Sequence, residues 1–253
     1  MSKAPFGEGS PSGRPDSIRR IDLLASPVLD VFIGYDPQEV VAYHVLCQSI
    51  IEHASQPVRF TPIDLPSLSK IFNRAPSGAQ STAFSFSRFL TPYLAGYAGW
   101  SLFIDCDMLA RADIAELFAL ADDRYAVMVC KHDYTPRDTV KFLNHPQARY
   151  AKKNWSSVML LNNARCAALT PEYVEQASGL DLHQFNWLAD EAQIGDLPLA
   201  WNWLVGEYPY APEARIAHFT RGGPYFAGYE ASDYADEWRA TQARAMAAAG
   251  RAL

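Results

Sequence analysis

The chain has 253 residues, 49% hydrophobic, 20% charged and 13% aromatic, with a formal net charge of −6. That is enough chain to bury a core in one large domain or two small ones. The acidic balance, with no basic block beyond Lys152–Lys153, excludes a nucleic-acid groove, and no apolar run reaches the roughly 20 residues of a membrane span. The four cysteines, Cys47, Cys106, Cys130 and Cys166, match no zinc-binding spacing and each sits in an apolar context. They read as reduced, buried thiols of a cytoplasmic protein.

Residues 1–26 are rich in Gly, Pro and Ser and lack the apolar run of a signal peptide; they read as a flexible tail. A single domain is expected over 27–253. Its first strand is VLDVFIGYD, Val28 to Asp36. Asp36 then suits a helix N-cap, Pro37 the first helical position and Glu39 a capping box. Val40, His44, Cys47 and Ile51 repeat at helical spacing. RFTPIDL, Arg59 to Leu65, reads as a second strand, and strand, helix and strand in that order predict a parallel βαβ unit. STAFSFSRFLTPYLAGY reads as a helix broken near Thr91–Pro92, with Arg88 off its apolar stripe. A strand over Ser101–Ile104 follows, then a helix capped by Asp113. Tyr125–Cys130, Ser157–Asn162 and Ala214–Phe219 are short apolar runs with the look of buried strands. Trp201 and Trp203 read as core. Asp233 to Leu253 is Ala-rich and predicted helical. The class is α/β, with one mixed, mostly parallel sheet flanked by helices, in which ligands bind beyond the carboxyl ends of the strands.

SLFIDCDMLA, Ser101 to Ala110, stands at such an end. Residues two apart on a strand share a face, so Asp105 and Asp107 point one way and Cys106 turns to the core. Two carboxylates side by side repel unless a proton or cation neutralises them. A hard-oxygen pair suits magnesium or manganese, with phosphate oxygens completing the shell. The alternative is a solvent-facing Asp beside one that caps the turn. Arg88 offers a fork for a phosphate or carboxylate oxygen, or a surface salt bridge.

STAFSFSRFLTPYLAGYAGWSLFIDCDMLARADIAELF resembles the central signature of family 8 glycosyltransferases: an Arg-bearing helix, a strand ending in Asp-x-Asp, and a helix opening Asp-Ile and closing on Leu. GYD at Gly34–Asp36, NWSSVMLLN at Asn154–Asn162 and HFTRGGPYF at His218–Phe226 resemble further segments of that family, in the same order. The resemblance implies a GT-A, Rossmann-like fold and a hexosyltransferase-like, retaining enzyme. Its donor is a nucleotide-diphosphate sugar, UDP-linked in the family, and its acceptor a glycan or other hydroxyl. It implies Mn2+ or Mg2+ on Asp105, Asp107 and His218. Donor contacts fall at Gly34, Tyr35, Asp36, Arg88, Asp105, Cys106, Asn154, Ser156, Gly222 and Gly223. Asp190 and Glu191 lie where the family has an Asp-Gln pair near the donor sugar, and are the catalytic candidates. The chain departs from the family at Glu191, at Trp155, where a smaller residue is usual, and in lacking the C-terminal Lys that touches the diphosphate. Arg221 and the Gly222–Gly223 amides are the candidates to replace that Lys.

Three rival readings remain at this level. A haloacid-dehalogenase-like phosphatase also ends a strand in Asp-x-Asp, but wants Thr or Val where Leu109 stands. A nucleotidyltransferase wants a Gly-rich basic loop, which GYDPQE is not. A non-catalytic nucleotide-sugar or glycan binder keeps the fold without turnover.

Overall fold

The computed structural model of the protein describes Met1 and residues 28–74, 82–133 and 151–249. The expected flexible tail, apart from Met1, and the last residues of the expected C-terminal helix lie outside the described residues.

The opening βαβ unit forms as predicted. β1 (Leu29–Gly34) leads into α1 (Val40–His53) and then β2 (Val58–Ile63), and the two strands pair in parallel. The predicted cap does not form. Glu39, not Asp36, occupies the N-cap position, and it makes no side-chain cap bond. The turn through Pro37 delays the helix, so the Asp36 carboxylate accepts from the Gln38 and Ala83 amides instead, both at 2.9 Å. Gly34 is needed here for space: a Cβ would meet the Phe84 ring at 2.3 Å.

The helix expected around Arg88 is shorter than its pattern. A 3-10 turn, Ser87–Leu90, passes into α2 (Thr91–Leu94), and the chain then reverses at Gly96 and Tyr97, both at positive φ. Pro92 begins α2 well because its missing N–H is not needed there. Next come β3 (Trp100–Ile104), β4 (Met108–Ala110) and α3 (Ile114–Phe118). The predicted Asp113 cap is present, accepting from the Ala115 amide at 2.9 Å. β5 (Val127–Val129), β6 (Val158–Asn162), α4 (Pro171–Gln176), α5 (Gly179–His183) and β7 (Ile194–Asp196) complete the main layer. β8 (Trp203–Leu204), β9 (Ile216–His218) and α6 (Ala235–Ala249) follow. Of the two tryptophans expected in the core, Trp201 is buried, whereas Trp203 is half-buried and meets Tyr208 edge to face.

The main sheet has the order β2-β1-β3-β6-β5-β7. The β1/β2, β1/β3 and β5/β7 pairings are parallel, and β6 runs antiparallel between β3 and β5. A second sheet, β4-β9-β8, stands beside it. Leu102, Phe103 and Ile104 are fully buried in the larger apolar cluster. Burial of each contributes about 1.5–3 kcal/mol, so the strand that carries the acidic pair is firmly anchored. Val45, Leu109, Ala217, Phe219 and Trp238 form a smaller cluster under α6. Arg111 to Glu237 (2.6 Å) and Arg244 to Glu52 (2.7 Å) hold α6 against β4 and α1.

Candidate metal centre

The strand carrying the acidic pair does not continue through it. β3 ends at Ile104, the chain bends over Asp105–Asp107, and β4 begins at Met108 in the other sheet. The pair therefore sits where the chain crosses between sheets. The backbone of each acid is fixed from a different side. The Asp105 amide donates to the Ser157 carbonyl at 3.0 Å, extending the β3/β6 ladder by one residue. The Asp107 carbonyl accepts from the Phe219 amide at 2.9 Å, and Met108 lies opposite His218 in the β4/β9 register. That pairing carries His218 across 111 positions of sequence to the acids.

Asp105, Asp107 and His218 each offer one ligand atom, and these atoms lie within 4.8 Å of one another. All three residues are buried, at 8%, 6% and 2% exposure. His218 Nε2 is 3.5 Å from Asp107 Oδ1. Cys106, between the acids, is fully buried as expected. Burial first, then Glu39, Asp107 and Asp105, pushes its thiol well above the ordinary range, so it is neutral and no nucleophile. Burial alone raises the thiols of the half-buried Cys47, to about 11, and of Cys166, to about 12.

The field here is strongly negative. Asp36 and Glu39 are buried near the pair, at 6% and 0% exposure. Desolvation and then the charges of Glu39 and Asp107 raise the Tyr225 phenol well above its usual range, and its hydroxyl donates to Glu39 Oε1 at 2.7 Å. Arg88 is the buried cation that answers this charge. Its Nη1 lies 2.8 Å from Asp105 Oδ1 and donates to the Ser156 carbonyl at 2.9 Å. Its guanidinium stands 5.2 and 5.1 Å from the Phe84 and Phe103 ring centroids. The salt bridge that the sequence placed at the surface as one alternative for Arg88 is instead buried, with Asp105 as its partner. Asp105 is thereby compensated, and Asp107 has the His218 ring beside it. Two oxygen ligands and one imidazole nitrogen, gathered in a negative and sheltered pocket, fit a divalent cation.

The remaining expected site residues fall around this core. Tyr35 stands edge to face with Tyr43 at 5.4 Å, at the end of β1 beside Asp36. Asn154 opens the turn before β6 in the left-handed region, with φ 62°, a conformation Asn tolerates better than most residues. Ser156 is buried, and its hydroxyl is 2.7 Å from His183 Nδ1. Gly222 requires its glycine, with φ 136°, and a Cβ on Gly223 would meet the Tyr225 ring at 2.2 Å. The Gly222 amide donates to the Phe219 carbonyl at 2.7 Å, and Arg221 Nε lies 4.0 Å from the buried Glu207. Arg221 and the Gly222 amide thus each have a partner within the chain.

Asp190 and Glu191 are exposed and are not brought into the triad. Asp190 caps the 3-10 turn Glu191–Gln193, accepting from the Ala192 amide at 2.8 Å, and Glu191 is ion-paired with Lys152. Lys152 lies two residues before Asn154, so the pair sits beside the donor-side turn. Sequence reasoning missed Glu39, which it read as a capping residue, and Asn202, which nothing in AWNWL marks.

His132 is buried, with Nδ1 2.8 Å from the Tyr208 hydroxyl. Burial first and His218 second push its imidazole down to about 3. Its folded pKa lies below its unfolded value, so between about pH 6.5 and 3 the unfolded chain binds the extra proton and stability falls as pH falls. Urea unfolding at pH 6.5 and 5 should lose up to ~1.4 kcal/mol per pH unit from this residue. The loss should be smaller by that amount in His132→Asn; an equal slope in both proteins contradicts this assignment.

Comparison with known structures places this architecture among GT-A glycosyltransferases, at the level of the fold. The WbbM bifunctional glycosyltransferase superposes with a TM-score of 0.57 at 15% identity, covering 87% of this chain and 50% of that one. GlyE of Streptococcus pneumoniae TIGR4 gives 0.55 at 15% identity, over 85% and 60%. The chain thus spans half of one and about three-fifths of the other. LgtC, a galactosyltransferase solved in complex with donor and acceptor sugar analogs, gives 0.55 at 12% identity, over 85% and 96%. No protein-family model matches the chain. Protein CDI of Arabidopsis thaliana is 45% identical over 217 residues, covering 82% of this chain and 83% of that protein, and this chain belongs to its family.

Proposed function

We propose that the protein is a metal-dependent glycosyltransferase, moving a sugar from a nucleoside-diphosphate sugar, UDP-linked by family resemblance, to a hydroxyl acceptor with retention at the anomeric carbon. The observation that carries the reading is the convergence of Asp105, Asp107 and His218, far apart in sequence, at the junction of two sheets in a GT-A fold. The complex of LgtC with sugar analogs supports this class of substrate.

Asp105, Asp107 and His218 would hold Mn2+ or Mg2+, and a bound cation neutralises charge that builds on the leaving diphosphate. The protein's own residues do the rest. Arg88 and the Ser157 carbonyl fix Asp105, so one carboxylate is already oriented before any ligand arrives. The Phe219 amide holds the Asp107 backbone in the same way. Asp36 locks the end of β1 to Ala83 and so shapes the edge assigned to the nucleobase, beside Tyr35. Asp190 and Glu191, the catalytic candidates by family resemblance, would act on the sugar and acceptor side; the Glu191–Lys152 pair, two residues before Asn154, supports that assignment. The incoming hydroxyl attacks on the face that the diphosphate leaves, and the departing phosphate takes its proton.

The test is release of nucleoside diphosphate from a panel of nucleotide-sugars, with and without manganese and hydroxyl acceptors. Manganese-dependent release, with sugar recovered on an acceptor, supports the proposal. Metal-dependent binding with no release favours a non-catalytic binder. Cleavage of phosphomonoesters without sugar transfer favours the dehalogenase-like reading.

A further inference from the structure

We infer that Asn202 is the positioning residue of this site, fixing which nitrogen of His218 is free to bind a cation. The inference rests on the metal reading above and goes beyond it to a residue that neither composition nor motif singles out. Asn202 is fully buried, immediately before β8, and β8 lies parallel to β9 with Leu204 opposite His218.

The hydrogen bonds determine the direction of the amide. The Ser157 hydroxyl donates to the Asn154 carbonyl at 2.6 Å, so towards Asn202 it presents only lone pairs. The Asn202 amide group within 3.2 Å of Ser157 Oγ and 3.1 Å of the Asn154 carbonyl faces two acceptors. It must therefore be the NH2. A flipped amide would set oxygen against oxygen in a dry interior, where an unmade hydrogen bond costs most. The Asn202 oxygen then faces His218 Nδ1 at 2.8 Å and can only accept. Nδ1 carries the hydrogen, which leaves Nε2, 3.5 Å from Asp107 Oδ1, as the nitrogen available to a cation. That is the form of imidazole a metal needs, and a partner on the other ring nitrogen is how such ligands are usually held.

The same amide joins the two sides of the site. Ser157 also accepts the Asp105 amide through its carbonyl, so one short turn, Asn154 to Ser157, supports Asp105 directly and His218 through Asn202. A shift of that turn would move two of the three ligands together.

The test compares wild type, Asn202→Leu and Asn202→Asp. Manganese affinity is read by electron paramagnetic resonance of the free ion. The protonated nitrogen of His218 is read by long-range 1H–15N correlation in the metal-free protein. The wild type should carry its proton on Nδ1. Asn202→Leu should bind manganese about 10–100-fold more weakly. Asn202→Asp keeps an acceptor for Nδ1–H but sets its second oxygen against the Asn154 carbonyl, so it should bind manganese more tightly than Asn202→Leu without reaching wild type. A manganese-binding wild type with Nδ1 bare overturns this inference alone, as does an Asn202→Leu variant that binds like wild type. A wild type that binds no manganese overturns the metal reading and this inference with it. If Asn202→Leu does not fold, the wild-type tautomer and the Asn202→Asp affinity decide.

Discussion

Asp107→Asn is expected to abolish manganese-dependent sugar transfer while leaving the metal-free protein folded and no less stable than wild type. Asp107 is 6% exposed, and His218 Nε2 lies 3.5 Å from its Oδ1. The pocket around it already contains the buried carboxylates of Asp36, Glu39 and Asp105. Replacing one acid by a neutral isostere there relieves repulsion, so thermal unfolding without metal should stay level or rise. Function should move the other way. Loss of a ligand to the ion that offsets leaving-group charge should cost roughly 10³-fold or more in turnover. The stabilising shift that manganese and a nucleoside diphosphate give wild type should vanish. A variant that keeps its activity, or that simply unfolds, counts against the assigned role.

Arg88→Met should produce the largest loss of stability of any single change near the site. The Arg88–Asp105 pair is nearly dry, with side-chain exposures of 6% and 12%, and its ends are 2.8 Å apart. Removing one partner of a buried pair leaves the other charge stranded, which typically costs about 3–5 kcal/mol. Here the stranded group is a carboxylate beside another carboxylate, so the cost belongs at the upper end. For a chain of this size the melting temperature should fall by on the order of 10 °C. Arg88→Met with Asp105→Asn should recover part of the loss, because the double variant buries no uncompensated charge. Full additivity of the two single changes in urea unfolding would contradict the coupling.

These outcomes depend on features that sequence reveals unequally. β1, β3 and β6 were legible because their apolar runs are buried on both faces. α1 is a helix as expected, but the stripe read for it, Val40, His44, Cys47 and Ile51, is not its core face: Ala42, Val45, Leu46, Ser49 and Ile50 are buried, His44 is exposed and Ile51 is 57% exposed. The acidic pair was legible because carboxylates that end such a run need a reason to be there. His218 entered through family resemblance; the physical cause of its arrival, the β4/β9 pairing, joins strands of three residues each that no local pattern predicts. Glu39 was misread because capping chemistry and burial draw on the same residue type, and only the packing of Tyr225 across 186 positions separates them. Asn202 was invisible for a related reason. Its role lies in three hydrogen bonds to residues 16 to 48 positions away, and a lone Asn between two tryptophans signals none of them. The helix around Arg88 was overextended because its apolar stripe continues through Thr91–Pro92, whereas the backbone tightens to a 3-10 turn before it.

Crystals grown with manganese, and with X-ray data collected at the metal's absorption edge, test the central claim most directly. The account predicts one anomalous peak enclosed by the carboxylates of Asp105 and Asp107 and the Nε2 face of His218. Manganese bound elsewhere in an active protein, with no peak among these three side chains, would contradict it.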